Sequence, residues 1–185
     1  MRTLTLLATT YLVLLYSCFP TQQLELTDLS ANRVDLPFNI DSIVIVDERG
    51  ELLPMNWDVP TIGVKSKEWV GNPPLNDLNR ANIKRIITQA QDTAGAPASV
   101  VFRVEEGVCK LTSDWQSVTE YARFKGKLIL TVPSRNYTYE SAAEMFYTNP
   151  TVNGTENGTL RLYNQALKNV VHMALKQIEE SIASE

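Results

Sequence analysis

The chain has 185 residues, of which 44% are hydrophobic and 21% are charged, and its formal net charge is −4. This length suits one globular domain with a real apolar core. We find no basic stripe that could follow a phosphate backbone, so nucleic acid is not expected as a partner. The chain has only two cysteines and one histidine, which are too few ligands for a metal site of the usual kinds.

The first 17 residues have the pattern of a targeting segment. Arg2 is their only charge, and an apolar run follows from Leu4 to Leu15. That run is shorter than the roughly 20 apolar residues of a membrane-spanning helix, and it fits the core of a signal peptide, which is about 7 to 15 residues long. Residues 1–17 are therefore left out of the fold, and their removal would change the formal charge to about −5.

The four residues Leu15-Tyr16-Ser17-Cys18 resemble the lipobox of bacterial lipoproteins, in which a leucine and two mostly small residues precede an invariant cysteine. The resemblance implies cleavage before Cys18, a diacylglycerol on its sulfur and usually an acyl chain such as palmitate on its amine. Tyr16 departs from the pattern, which usually has a small residue there. The alternative is an ordinary secretory signal, but Leu15 does not fit the small-residue rule for a cut after Ser17.

After the cysteine, residues 18–39 combine polar residues, two prolines and short apolar pieces. This composition predicts a tether that leads into a single domain at residues 40–185. The first strand of that domain is predicted at Ile43–Val46, because this β-branched run ends in charged residues and a glycine.

Residues 51–74 are rich in proline and receive no regular structure from the sequence. Their four prolines exclude a long helix or a central strand. Trp57 and Trp69 indicate that this stretch folds back on the body of the protein. A packing role for the two rings is favoured over a ligand-facing one.

A helix is predicted to begin at Asn76 or Asp77 and to end before Gly95 and Pro97. Its apolar residues recur at spacings of three and four, which is typical of an amphipathic helix laid on an apolar surface. These residues are Leu75, Leu78, Ile83, Ile86, Ile87 and Ala90.

Three strands are predicted after this helix. Segments 98–112 and 117–132 both alternate between apolar and polar residues, which is a strong strand signal. One face of the second segment carries Val118, Glu120, Ala122, Phe124, Gly126, Leu128, Leu130 and Val132. The third strand should follow a turn at 133–136, with Tyr137, Tyr139, Ser141, Ala143 and Met145 on one side. Together they predict an antiparallel meander with one solvent-exposed face.

The last predicted element is a helix with the longest apolar stripe in the chain. Two Asn-Gly steps and a proline in residues 147–159 should break the chain before it. The stripe consists of Tyr163, Ala166, Leu167, Val170, Ala174, Leu175, Ile178 and Ile182. The order of elements predicts an α+β fold, a two-layer sandwich with a mostly antiparallel sheet of about four strands and two helices on one face.

This order of elements after a lipobox is similar to that of two kinds of small envelope lipoprotein. One kind serves lipopolysaccharide assembly, and the other is auxiliary to transport. Domains of these families pair a four-stranded sheet with two helices. The resemblance covers residues 40–183 in pattern only, and Cys18 is the one residue that can be carried over. It implies a non-enzymatic scaffold or accessory protein, lipid-anchored in the outer membrane and facing the periplasm, with an envelope protein as its partner.

The chemical inventory argues against an enzyme, and no cofactor is expected. His172 lies beside Val171 on the last helix, where a structural or exposed role is favoured over a base or ligand. Cys109 lies in an alternating apolar segment and is predicted to be a small buried hydrophobe. The carboxylate pairs Asp47-Glu48 and Glu105-Glu106 are expected to face solvent near strand ends, and neighbours on a strand point to opposite faces, which prevents a close dyad.

Two alternatives to the scaffold stay open. The first is a small apolar-ligand-binding module with a pocket between the sheet and the proline-rich stretch, lined by aromatic residues. The second is a secreted eukaryotic glycoprotein, because Asn136, Asn153 and Asn157 begin N-glycosylation triplets. The candidate ligand or partner surface consists of Trp57, Trp69, Tyr121, Arg123, Lys125, Tyr137 and Tyr139.

Overall fold

A computed structural model describes residues 33–55, 67–114, 117–149 and 156–184. The described elements are, in chain order, β1 (Leu36–Asp47), β2 (Lys67–Gly71), α1 (Asp77–Gln89), β3 (Gln91–Ser113), β4 (Val118–Val132), β5 (Arg135–Asn149) and α2 (Glu156–Ala183). The strand order across the sheet is β1-β3-β4-β5, and β2 pairs with β3 beside β1. The pair β1–β3 is parallel and the other pairs are antiparallel.

Among the described residues the sheet has five strands, so the prediction of about four was wrong. The additional strand, β2, lies in the proline-rich stretch to which the sequence assigned no structure. β1 reaches only as far as Val104 of β3, and the rest of that edge of β3 is left for β2, where Trp69 pairs with Leu111. The prolines of the stretch lie outside these five residues, which leaves the backbone of β2 able to pair.

The meander of β3, β4 and β5 is confirmed, as is the α+β class with a mostly antiparallel sheet. The even-numbered residues of β4 are buried in strict alternation with half-buried neighbours up to Leu130. Phe124, Leu128 and Leu130 have no measurable exposure. The alternation of one strand therefore identified the core face of the sheet correctly.

The final helix packs on this face through the predicted stripe. Val170, Leu175 and Ile178 are fully or almost fully buried, and Ile182 is partly buried at the edge of the same core. Ser141 Oγ on β5 donates a hydrogen bond to the carbonyl of Val170 at 2.8 Å. The buried apolar residues of both helices belong to one continuous cluster with those of the sheet.

The helix begins at Glu156, so the second Asn-Gly step lies inside its first turn and not in the preceding loop. The reason is a close approach between helix and sheet. A Cβ atom on Gly158 would lie 2.4 Å from Oε1 of Glu120, a residue that is 5% exposed on the core face of β4. Glycine is therefore needed here to bring the start of the helix against the buried carboxylate, which sits where the helix dipole favours negative charge.

Helix α1 begins as predicted, with Asn76 as its N-cap. The side chain of Asn76 accepts a hydrogen bond from Asn79 N at 2.8 Å, and the Asn79 side chain accepts one from Asn76 N at 3.1 Å. Leu78, however, is 62% exposed and does not belong to the apolar face. Asn79 takes that place because it lies four residues before Ile83, and its amide donates to Asn164 of α2.

The described chain is already packed within the segment predicted as a tether. Val34 and Leu36 are buried in the main core. Leu36 N donates to the carbonyl of Ala90 at 2.7 Å, so the start of β1 is tied to the end of α1. Strand β1 is consequently longer than the Ile43–Val46 run that predicted it.

Candidate interaction surface

The outer face of the sheet carries a ladder of charged side chains. Arg123, Lys125 and Lys127 project from β4, between acidic residues of the two neighbouring strands. Arg123 pairs with Glu106 and Glu144, Lys125 with Glu105 and Glu140, and Lys127 with Glu140. The distances range from 3.0 Å between Lys125 Nζ and Glu105 Oε2 to 3.7 Å between Lys125 Nζ and Glu140 Oε2. Cross-strand pairs of opposite charge support the register of a sheet.

The ladder shifts the proton affinities of its members in the expected directions. The hydrogen bond and the charge of Glu105, followed by the charge of Glu140, raise the pKa of Lys125. The hydrogen bond from Lys127 and the charge of Lys125 lower the pKa of Glu140. Because these groups are exposed to solvent, each pair adds little to stability, and this charged face mainly suits recognition.

A β-bulge explains why Glu105 and Glu106 both contribute to this ladder. The register passes from Val104 opposite Gly126 directly to Glu106 opposite Lys125. An extra residue in one strand removes the strict alternation, so the expectation that the two carboxylates point to opposite faces was wrong. Glu105 contacts Lys125 while Glu106 contacts Arg123, and each carboxylate is neutralised by a cation of its own.

The predicted surface residues do not form one surface. Tyr121, Arg123 and Lys125 lie together on the outer face of β4. Tyr137 and Tyr139 lie on the opposite face, because they pair with the core residues Leu130 and Leu128 of β4. Trp69 is 9% exposed and packs in a small cluster with Leu111 and Val118. This placement agrees with the packing role that was favoured for it. Trp57 and Cys18 lie outside the described residues.

Strand β5 forms one edge of the sheet and offers backbone groups for pairing. Among the strands that the structure describes, it pairs with β4 alone over its 15 residues. Phe146 is 74% exposed on the outer face of this strand and lies opposite Tyr121. A long edge strand with an exposed aromatic residue is a ready template for another strand.

A buried arginine at the end of β1 was not apparent from the sequence. The guanidinium of Arg49 donates to both carboxylate oxygens of Asp47 at 2.6 Å each. Its Nη1 also donates to the hydroxyl of Tyr163 and to Oδ1 of Asn72, both at 2.7 Å. The hydroxyl of Tyr163 in turn donates to the carbonyl of Pro73 at 2.9 Å. This network joins β1, the segment after β2, and α2.

The Arg49 network corrects the expectation that Asp47 simply faces water. The hydrogen bond from Arg49 lowers the pKa of Asp47, and burial raises the pKa of Tyr163. Gly107 leaves the space that the arginine needs, since a Cβ there would lie 2.6 Å from Arg49 Nη1. A strand end rich in charge usually faces solvent, so only the contacts of the folded chain reveal this site.

A shallow cleft of about 350 Å³ lies between α1 and α2. It is lined by Leu78, Asn82, Leu160, Arg161, Asn164, Gln165 and Lys168. His172 follows on α2 and is half-buried, and burial followed by the charge of Lys176 lowers its pKa. The exposed Leu78 beside two cations makes the cleft amphipathic.

Cys109 is fully buried, as predicted, and its Sγ lies 3.4 Å from the carbonyl of Gly71. Within the described ranges, no three His, Cys, Asp or Glu side chains are grouped to hold a metal ion. The triplet at Asn157 lies in the first turn of α2 with Thr159 fully buried, whereas Asn136 is exposed on β5 and Asn153 is outside the described residues.

Comparisons with known proteins do not assign the chain to a family. No protein-family model matches it, and no curated protein matches its sequence. In the part of the chain that the structure describes, no helix has the length and apolar character needed to cross a bilayer.

Proposed function

We propose that the protein is a non-enzymatic envelope lipoprotein, anchored through Cys18 in the outer membrane and facing the periplasm. In this role it is a scaffold or accessory partner for outer-membrane or transport machinery. The Leu15-Tyr16-Ser17-Cys18 sequence supports the anchor. The observation that carries the docking role is the β5 edge, which pairs on one side only among the described strands and bears the exposed Phe146.

The mode of docking that this edge supports is the addition of a partner strand. Backbone hydrogen bonds would supply affinity, and side chains at alternate positions would supply specificity. Phe146 offers an aromatic anchor of the kind that is enriched at interfaces. The charged ladder lies directly beside the edge, where ionic contacts can fix the register of a partner strand.

The anchor is tested by Cys18→Ala. Acyl chains contribute about 0.8 kcal/mol per buried methylene, and two signals are needed for stable anchoring. The variant should therefore leave the membrane fraction or accumulate unprocessed. Mass spectrometry of the mature N-terminus should find an acylated Cys18 in the wild type. A variant that partitions and is processed like the wild type would contradict the anchor.

The docking edge is tested by placing a photo-reactive residue at position 146. Irradiation of intact cells should join the chain to an envelope protein. The same group at Met173, which is 42% exposed on α2, should give no such product.

An edge-blocking variant makes the docking test specific. Ala142→Lys places a charge on the exposed edge strand between Glu140 and Glu144, and such lysines prevent strand pairing. The crosslink at position 146 should disappear in this variant and persist in Thr88→Lys, which adds the same charge on α1. A crosslink that survives Ala142→Lys would argue against strand addition.

A further inference from the structure

The two layers of the domain differ in how their charges are used. The cations on the outer face of the sheet are paired with carboxylates. In contrast, none of the ion pairs found among the described residues involves a side chain of α1 or α2. The helices nevertheless carry six cations, which are Arg80, Lys84, Arg85, Arg161, Lys168 and Lys176.

The carboxylates of the helix layer are fewer and partly engaged. Those whose side chains the structure describes are Asp77, Glu179 and Glu180. Glu179 accepts a hydrogen bond from the backbone of Asp35 at 2.8 Å. The described helix surface is therefore positively charged in a protein whose formal net charge is −4.

Three of these cations form a row on α2. Arg161, Lys168 and Lys176 are spaced seven and eight residues apart, so they lie on one side of the helix over about 22 Å. Arg161 and Lys168 line the cleft, with the exposed Leu78 of α1 across from them. Cations beside an exposed apolar side chain are typical of surfaces that rest on anionic membranes.

The chain enters the domain beside this layer. Asp35 lies near the start of the described residues, and its backbone N–H donates a hydrogen bond to the carboxylate of Glu179 on α2. Fourteen residues separate Cys18 from Arg33, and a stretch of that length can span at most about 50 Å. An acyl group on Cys18 would therefore hold the domain within reach of the bilayer, with α2 next to the point of entry.

We propose that the basic row of α2, together with the cleft beside Leu78, rests on an anionic lipid surface. This inference deepens the proposed function, because it assigns the helix layer to the membrane and leaves the β5 edge and the outer sheet face for a protein partner. The chemistry recognised is that of phosphate-bearing headgroups. The sequence signal for this row is the spacing of its three cations at seven and eight residues.

The inference is tested with vesicles of defined composition. The probe is the full 185-residue chain carrying Cys18→Ala, so that no acyl group contributes. Its binding to vesicles of phosphatidylcholine is compared with its binding to an equimolar mixture with phosphatidylglycerol. All variants carry the same leader sequence. A change in the ratio of the two affinities therefore measures the contribution of the substituted cations.

The decisive variant is Arg161→Gln with Lys168→Gln, which keeps good helix formers at both positions. Each cation near an acidic surface raises binding about fivefold, so the ratio should fall about 25-fold. The control is Lys110→Gln with Lys127→Gln, which removes the same charge from the outer sheet face and should leave the ratio within about twofold. Binding by the unchanged chain should also weaken as salt shortens the Debye length.

The outcomes separate this inference from the proposed function. Suppose that Cys18 is acylated in cells but the ratio of the two vesicle affinities is the same in both double variants. The proposal that the basic row binds lipid is then refuted, and the anchor stands. If the ratio falls only in the α2 variant while Cys18 carries no acyl group, the basic row stands and the anchor fails. Loss of the position 146 crosslink in the α2 variant, with an unchanged vesicle ratio, would assign the row to a protein partner and overturn the inference.

Discussion

Arg49→Met is expected to lower the free energy of unfolding by about 3 to 5 kcal/mol, because removing one partner of a buried ion pair leaves the other charge uncompensated. The side chain of Arg49 is 1% exposed and that of Asp47 is 15% exposed, so water can replace few of the lost contacts. The hydroxyl of Tyr163 and the carbonyl of Pro73 would lose their guanidinium partner as well. Denaturant unfolding of the fragment from Thr21 onward measures the change.

The matched control for Arg49→Met is Lys110→Met. Lys110 forms an exposed pair with Glu68 at 3.6 Å, and exposed pairs contribute about 1 kcal/mol or less. A double-mutant cycle with Asp47→Asn should give a coupling energy well above that of the surface pair. If Arg49→Met and Lys110→Met destabilise equally, the buried network does not hold the three segments together.

The same network predicts how stability depends on pH. The pKa of Asp47 is held below its ordinary value of 3.8 in the folded protein, first by the hydrogen bond from Arg49 and also by its charge. A lowered folded pKa means that this contribution is fully present above the unfolded value and is lost as the pH falls through the folded one. The acid-induced loss of stability below about pH 4 should therefore be smaller in Arg49→Met than in the wild type.

Val170→Asp is expected to prevent stable folding. Val170 is fully buried in the seam between α2 and the sheet, where an unpaired charge costs several kcal/mol. Total stability of a domain is only about 5 to 15 kcal/mol, so the loss would be a large fraction of it. The measurement is thermal unfolding of the fragment from Thr21 onward.

Met173→Asp provides the control on the same helix. Met173 is 42% exposed, so the same charge there can remain hydrated and should change stability by no more than about 0.5 kcal/mol. A Val170→Asp protein that melts within a degree or two of the wild type would mean that α2 does not pack on the sheet. The contrast between two positions three residues apart tests the orientation of the helix directly.

The amphipathic elements of this protein were determined by its sequence. The alternation in β4 identified its buried face residue by residue, and the stripe from Tyr163 to Ile178 identified the buried face of α2. These properties are local, because the period of an element and the polarity of its residues decide which side can be covered. Burial of Cys109 followed from the same local rule.

The candidate surface was predictable only in part, because position on a strand does not decide what lies beside it. The outward direction of Tyr121, Arg123 and Lys125 followed from the alternation of β4. Tyr137 and Tyr139 were included for their aromatic character, but the alternation of β5 left open which of its faces is covered, and pairing with Leu130 and Leu128 puts both rings on the core side. The missing element was the pairing register, which joins residues far apart in the chain.

Only the tertiary structure decided which strands meet and in which direction. Strand β1 pairs in parallel with the first part of β3, and β2 pairs with the part of the same edge that β1 leaves uncovered. The bulge at Glu105 and the burial of Arg49 are likewise absent from any local period, since each arises where several segments converge. Local patterns show which face of each element is apolar. Register, strand direction and buried charge depend instead on contacts between residues far apart in the chain, and the free energies of those contacts cannot be read from any single segment.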